Sequence, residues 1–150
     1  MSRTRKHRSW LYEHSLSLVS GGILIFWIVA YINCDPNTHW GAFFGNAIAD
    51  WSGVLITVVA TKYFYEVGST ESRQPSKEPF SRIRRVLLRH SLSIFLITTG
   101  IGWVIVFVHM NPQARWGQVV GNLVSEWTQI FGMVILTKRL VEEHSKESHR

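Results

Sequence analysis

Four polar side chains could do chemistry in otherwise apolar surroundings. They are Asn46 and Asp50 in "WGAFFGNAIADW" (Trp40–Trp51), and Asn122 and Glu126 in "WGQVVGNLVSEW" (Trp116–Trp127). A spacing of four places each amide on the same helix face as its acid. Carboxyl and carboxamide oxygens so arranged can take up a proton or coordinate a small cation. Two carboxyls brought together would share a proton and titrate as a pair. The competing reading is a polar clasp, in which Asn and a protonated acid hydrogen-bond between helices in lipid. Acids in such positions are functional by default, so proton or small-cation handling leads.

The elements that must position these residues are long and apolar. The chain has 150 residues, 46% of them hydrophobic, with seven Trp and one Cys, Cys34. Its apolar residues fall into four blocks: Leu16–Ile32, Ala42–Thr61, Leu92–Val108 and Val119–Thr137. Each block runs about 17–20 residues, enough to cross a bilayer as a helix. The expected spans are 15–33, 41–64, 91–109 and 117–140. Asp50 then lies about 15 Å along its helix from Trp40 and about 18 Å from Lys62, close to the bilayer midplane. Glu126 takes the equivalent depth.

The chain repeats itself. Offset by 76 positions, Glu13–Gln74 aligns without a gap against Arg89–Arg150, and 19 of the 62 pairs are identical. Matched landmarks include His14/His90, Trp27/Trp103, Pro36/Pro112, Trp40/Trp116, Gly45/Gly121, Asn46/Asn122, Lys62/Lys138 and Glu66/Glu142. We read repeat A as 13–74 and repeat B as 89–150, with a polar, exposed linker over 67–89. Two spans per repeat keep both halves the same way up, the parallel case. The recurrence of "HSLS" and its apolar run inside the chain argues against a cleaved signal peptide.

The net charge of +6 is explained by topology rather than by nucleic acid, for which no aromatic–basic platform exists. With the termini and linker inside, only Arg115 of the 16 Lys and Arg lies outside, the asymmetry of the positive-inside rule. "FSRIRRVLLRH" reads as a short amphipathic helix at the interface. Asp35-Pro36 and Asn111-Pro112 read as an N-cap followed by proline at the first helical position. Trp40 and Trp116 then sit at the outer interface, and His14 and His90 at the inner one as hydrogen-bonding residues. His39 and Arg115 read as solvated loop residues.

Small residues at spacings of four, Gly41, Gly45, Ala49 and Gly53, echoed by Gly117, Gly121 and Ser125, let helices approach closely, between repeats or in a homodimer. Lys62–Glu66 and Lys138–Glu142 read as i,i+4 surface pairs. Ser17, Ser20, Thr57, Thr98, Thr99 and Thr128 bond back to their own helices. One Cys excludes an internal disulfide and a cysteine-only metal cage. No nucleophile with its base, phosphate loop or zinc helix is present, so no enzyme, metal or cofactor is expected.

"SEWTQIFGMVILTKRLVEEHSKESHR" and "DWSGVLITVVATKYFYEVGSTESR" resemble a family of small bacterial four-span membrane proteins, whose helices read W-x-S-E-F-x-Q and end in G-S-x-E-S-K/R. Trp127 stands where that family has Phe, and Ala49-Asp50 where it has Ser-Glu. The resemblance implies the topology and a bacterial inner membrane, and carries no function. The expected fold is all-α: an integral membrane four-helix bundle made of two tandem two-helix repeats. Its partners are the lipid bilayer and a second copy or another membrane protein. The leading function is proton or small-cation handling through Asp50, Glu126, Asn46 and Asn122. The alternative is a non-catalytic subunit that binds partner helices through its glycine faces.

Overall fold

A computed structural model describes residues 10–74, 81–138 and 140. Among these residues there are six helices: α1 (Trp10–Glu13), α2 (Ser15–Ile32), α3 (His39–Tyr63), α4 (Arg82–Arg89), α5 (Ser91–His109) and α6 (Gly117–Leu136). The fold is all-α. α2, α3, α5 and α6 are each long and apolar enough to cross a membrane, and three of the four match the expected spans closely. α6 stops at Leu136, short of the expected 140, because the chain turns at Thr137 and Lys138.

Two hairpins, α2/α3 and α5/α6, meet through α3 and α6, so the extensive contacts run in the order α2–α3–α6–α5. The two acid-bearing helices are therefore the central pair. Ile48, Ala49, Leu123 and Trp127 form the core between them, with Leu92 and Leu96 of α5 and Tyr31 of α2 packed alongside. Outward-facing positions are also apolar: Ile25 and Phe26 on α2 are more than 60% exposed, and Val108 on α5 is 70% exposed. A soluble surface does not carry such a belt. It suits hydrocarbon.

The hairpin connections differ from the sequence expectation. Asp35 and Asn111 do not cap the long helices. Each side chain instead accepts the backbone N–H two residues on, Asn37 and Gln113 respectively, both at 2.9 Å. These side-chain turns hold the Asx-Pro corner and delay the helix. The N-cap of α3 is Thr38, whose Oγ1 accepts from Gly41 N at 3.1 Å. α6 starts at Gly117 without a side-chain cap. Gly41 and Gly117 are required by the corners themselves. A Cβ at Gly41 would lie 2.2 Å from the Asp35 carbonyl oxygen, and one at Gly117 would lie 2.6 Å from that of Asn111.

Candidate functional site: a mid-span acid pair and a buried glutamate

Asp50 is the twelfth of the 25 residues of α3, and Glu126 the tenth of the 20 of α6. The crossing of these helices brings the two carboxyls onto one crevice, close enough to interact electrostatically. Two acids this close repel while both are charged, and a proton taken up by either can be shared with the other. One helical turn away, Asn122 Nδ2 donates to Asn46 Oδ1. Two like residues pair in each case, and in each case they stand 76 apart. Sequence spacing put each amide on the helix face of its acid, and the structure sets the two faces opposite each other, with the asparagines bonded and both acids on one crevice.

The two acids differ in length, and the opposing helix accommodates the difference. Glu126 is the longer and lies over Gly53, where an added Cβ would come within 2.8 Å of its Oε2. The position equivalent to Gly53 in the second copy is Gln129, whose amide reaches Glu126 Oε1 at 3.4 Å. Neither acid is buried. Asp50 is exposed and Glu126 half-buried. Both line a crevice of about 360 Å³ bounded by α3, α5 and α6. Its walls are mainly apolar, including Val54, Leu96 and Ile130, and its far end is lined by Thr61 and Glu71. Asp50 and Thr61 are eleven residues apart, so the crevice follows α3 for about 16 Å.

The small residues named from the sequence are mostly used inside the chain. Gly45 packs against Tyr31 and Val119, Gly53 against Glu126, and Gly121 against Phe107. Ala49 is fully buried, whereas Ser125 is exposed. Trp40 is 67% exposed in the first turn of α3, and Trp116 borders α6 at the same end of the bundle. Ser20, Thr98, Thr99 and Thr128 bond back to their own helices as expected, Thr98 to Ile94 O and Thr128 to Val124 O among them, whereas the Ser17 and Thr57 hydroxyls make no such bond among the described residues. Thr99 does more, since its Oγ1 also accepts from Trp127 Nε1 at 2.8 Å and so joins α5 to α6.

The sequence reading missed a second carboxylate site. Glu66 does not form the expected surface pair with Lys62. α3 ends at Tyr63, so the i,i+4 geometry is lost. Glu66 is instead fully buried and bonded to the other half of the chain. Lys138 Nζ and His90 Nδ1 both meet its Oε1, the latter at 2.7 Å, and Ser93 N donates to Oε2 at 3.1 Å. Burial alone would push the Glu66 carboxyl up. The hydrogen bonds from Lys138, Ser93 and His90 outweigh it and hold the carboxyl below the usual carboxylate range.

The surrounding segment is built to deliver that side chain. Tyr65 O accepts from Leu92 N at 3.1 Å, and Val67 N donates to Arg89 O at 2.8 Å, so residues 65–67 lie against the start of α5. Gly68 then takes φ +82°, a left-handed conformation that favours glycine. Beyond it, Ser69 Oγ meets Thr137 Oγ1 at 3.0 Å, and Ser72 Oγ accepts from Glu66 N at 2.8 Å. The first part of the linker is thus docked into the bundle rather than exposed. Residues 75–80 of the linker and Glu142, half of the other expected Lys–Glu pair, lie outside the described residues.

At the opposite end, Arg115 is not a free loop residue. Its guanidinium donates to the carbonyls of Tyr31 and Ile32, at 2.8 and 3.0 Å, and to that of Cys34. A cation at a helix C-terminus satisfies carbonyls that the helix leaves open. Tyr31 Oη returns a bond to Arg115 O. Each end of the bundle therefore has charged groups joining one half of the chain to the other. His39 is exposed.

The described residues contain no group of His, Cys, Asp and Glu suited to a metal ion. No protein-family model, curated protein or solved structure matches this chain.

Proposed function

We propose that this chain is a small multi-pass protein of a bacterial inner membrane that handles protons or a small cation through Asp50 and Glu126. One observation carries the reading. Two carboxyls face each other near the middle of the two central helices, and both open onto a crevice that leads along α3. Asn46 and Asn122 hold the helix crossing one turn away and offer amide oxygens beside the acids. A proton and a cation would compete for the same oxygens, so taking up one releases the other. With both termini and the linker cytoplasmic, only Arg115 of the 16 Lys and Arg faces outward. Two tandem repeats related by an axis along the membrane normal account for the like-with-like pairing. No catalytic step or cofactor belongs to this reading.

The experiment is flux in proteoliposomes, followed with an internal pH dye and an imposed cation gradient. Wild-type protein should dissipate the gradient, and Asp50→Asn/Glu126→Gln should not. Equal inertness of both, with capture of a membrane partner intact in both, would favour the subunit alternative. That alternative would need a surface other than Gly41, Gly45, Gly53, Gly117 and Gly121, which already pack within the chain.

A further inference from the structure

The crevice beside Asp50 and Glu126 runs toward one end of the bundle only. On α3 it is lined by Asp50 and by residues after it, and on α6 by Glu126 and residues after it. On α5 it takes Leu92 and Leu96, both in the first two turns. These segments share the end where α3 and α6 finish and α5 begins. The other direction is packed. Ile48, Ala49, Val119 and Leu123 are buried there, and the Asn46–Asn122 bond ties the same stretch. Tyr31 and Val119 close over Gly45 beyond it.

At its open end the crevice meets a second cavity of about 600 Å³, formed by the end of α3, the docked segment after it and Leu88 of α4. Val58, Thr61 and Glu71 line both spaces. Glu71 is the carboxylate of the three, and the docked segment sets its place. Its N–H donates to Ser69 Oγ at 3.2 Å, and Ser69 Oγ in turn meets Thr137 Oγ1 just past α6. Two hydroxyls stand between Glu71 and the acid pair, one helical turn apart. Thr61 Oγ1 donates to Thr57 O at 2.6 Å, which leaves its oxygen able to accept. The Thr57 hydroxyl is not bonded back to its helix. Gln129 lies further in, with its amide 3.4 Å from Glu126 Oε1.

Polar groups spaced along a crevice of this size can hold a chain of waters. Lys62 and Arg73 share the lining of the wider cavity. A metal cation entering here would meet both charges and then shed water against apolar walls. A proton crosses the same walls along water, without being stripped of it.

We propose that protons reach the Asp50/Glu126 pair from this end alone, and that Glu71 is the carboxylate that receives them from solvent. The proposal rests on the functional reading above and adds the species and its point of entry. Glu71 takes up a proton, passes it through water and the threonine hydroxyls to the pair, and is left ionised for the next. With the termini and linker cytoplasmic, this mouth opens to the cytoplasm.

Two measurements test it. In a Cys34→Ser chain carrying Thr57→Cys, a charged thiol reagent that cannot the bilayer cross is applied to either face of sealed vesicles of known orientation. Modification from the face carrying the N-terminus alone is expected. Modification from the opposite face, from both or from neither overturns one-sided entry. Proton uptake into proteoliposomes then tests the carboxylate. Glu71→Gln should slow it several-fold and Glu71→Asp should keep most of the rate, with Thr57→Cys modified in both as in the parent. A wild-type rate in Glu71→Gln overturns the role of Glu71. So does a slowed Glu71→Gln in which that modification is lost, since Glu71 then serves packing. A wild-type protein that moves no protons refutes the functional reading instead, and the labelling, which needs no flux, still decides the side of the opening.

Discussion

Glu66 and the Asp50/Glu126 pair are carboxylates held by the same two hairpins, and they are satisfied in opposite ways. Glu66 has both oxygens engaged by Lys138, His90 and Ser93, and nothing of it is exposed. Asp50 and Glu126 stand beside each other with only the Gln129 amide reaching Glu126, and they face a crevice. A fully neutralised carboxylate has no spare charge for a ligand and serves to join elements. Two neighbouring acids without a cation between them keep spare lone pairs, which is what binding a proton or cation requires. The contrast separates the scaffold from the proposed working site.

The largest effect should come from breaking the scaffold. Removing one partner of a buried ion pair leaves the other charge unpaired and costs about 3–5 kcal/mol. Glu66→Gln should therefore lower the unfolding midpoint in detergent strongly. Glu66→Gln/Lys138→Met, which removes both charges, should restore part of it. The same clasp gives a pH dependence. The Glu66 carboxyl is lower in the folded protein than when unfolded, so its contribution is present above the ordinary carboxylate value of about 4.3. That contribution is lost as pH falls through the lower folded value. Acid unfolding of wild type should include this loss, and acid unfolding of Glu66→Gln should not.

Substitutions at the mid-span pair should move stability far less. Asn46→Ala removes one interhelical hydrogen bond, worth about 0.6 kcal/mol on average between membrane helices. Gly53→Ala introduces a Cβ only 2.8 Å from Glu126 Oε2, the far end of a flexible side chain that can swing away. Its effect on the unfolding midpoint should be the smallest of these, while flux changes because the carboxyls are parted. A large loss of stability in Gly53→Ala would place the pair in the scaffold beside Glu66.

What the sequence revealed follows the range of each interaction. The four helices were legible because crossing hydrocarbon requires continuous apolar runs. The acid pair was legible because Asn46, Asp50, Asn122 and Glu126 share a spacing that fixes helix faces. Glu66 was misread because Lys62, four residues before it, offered a local partner, whereas its true partners lie in the other hairpin. The end of α3 at Tyr63 decided between them, and helix ends are weakly encoded. A signal was nevertheless present. His90, Ser93, Lys138, Glu66, Ser69 and Ser72 are all positions where the two copies are identical, and the duplicated identity gathers around one clasp. Asp35 and Asn111 were misread for a related reason, since a side-chain turn and an N-cap use the same residue types.

The central claim is that the mid-span pair works and the buried glutamate holds. It is tested most directly by cation-driven proton flux per folded molecule in proteoliposomes, with Asp50→Asn/Glu126→Gln compared against Glu66→Gln/Lys138→Met. The account predicts near-wild-type stability and no flux for the first, and reduced stability with flux retained for the second. Flux retained in the first and lost in the second would contradict it.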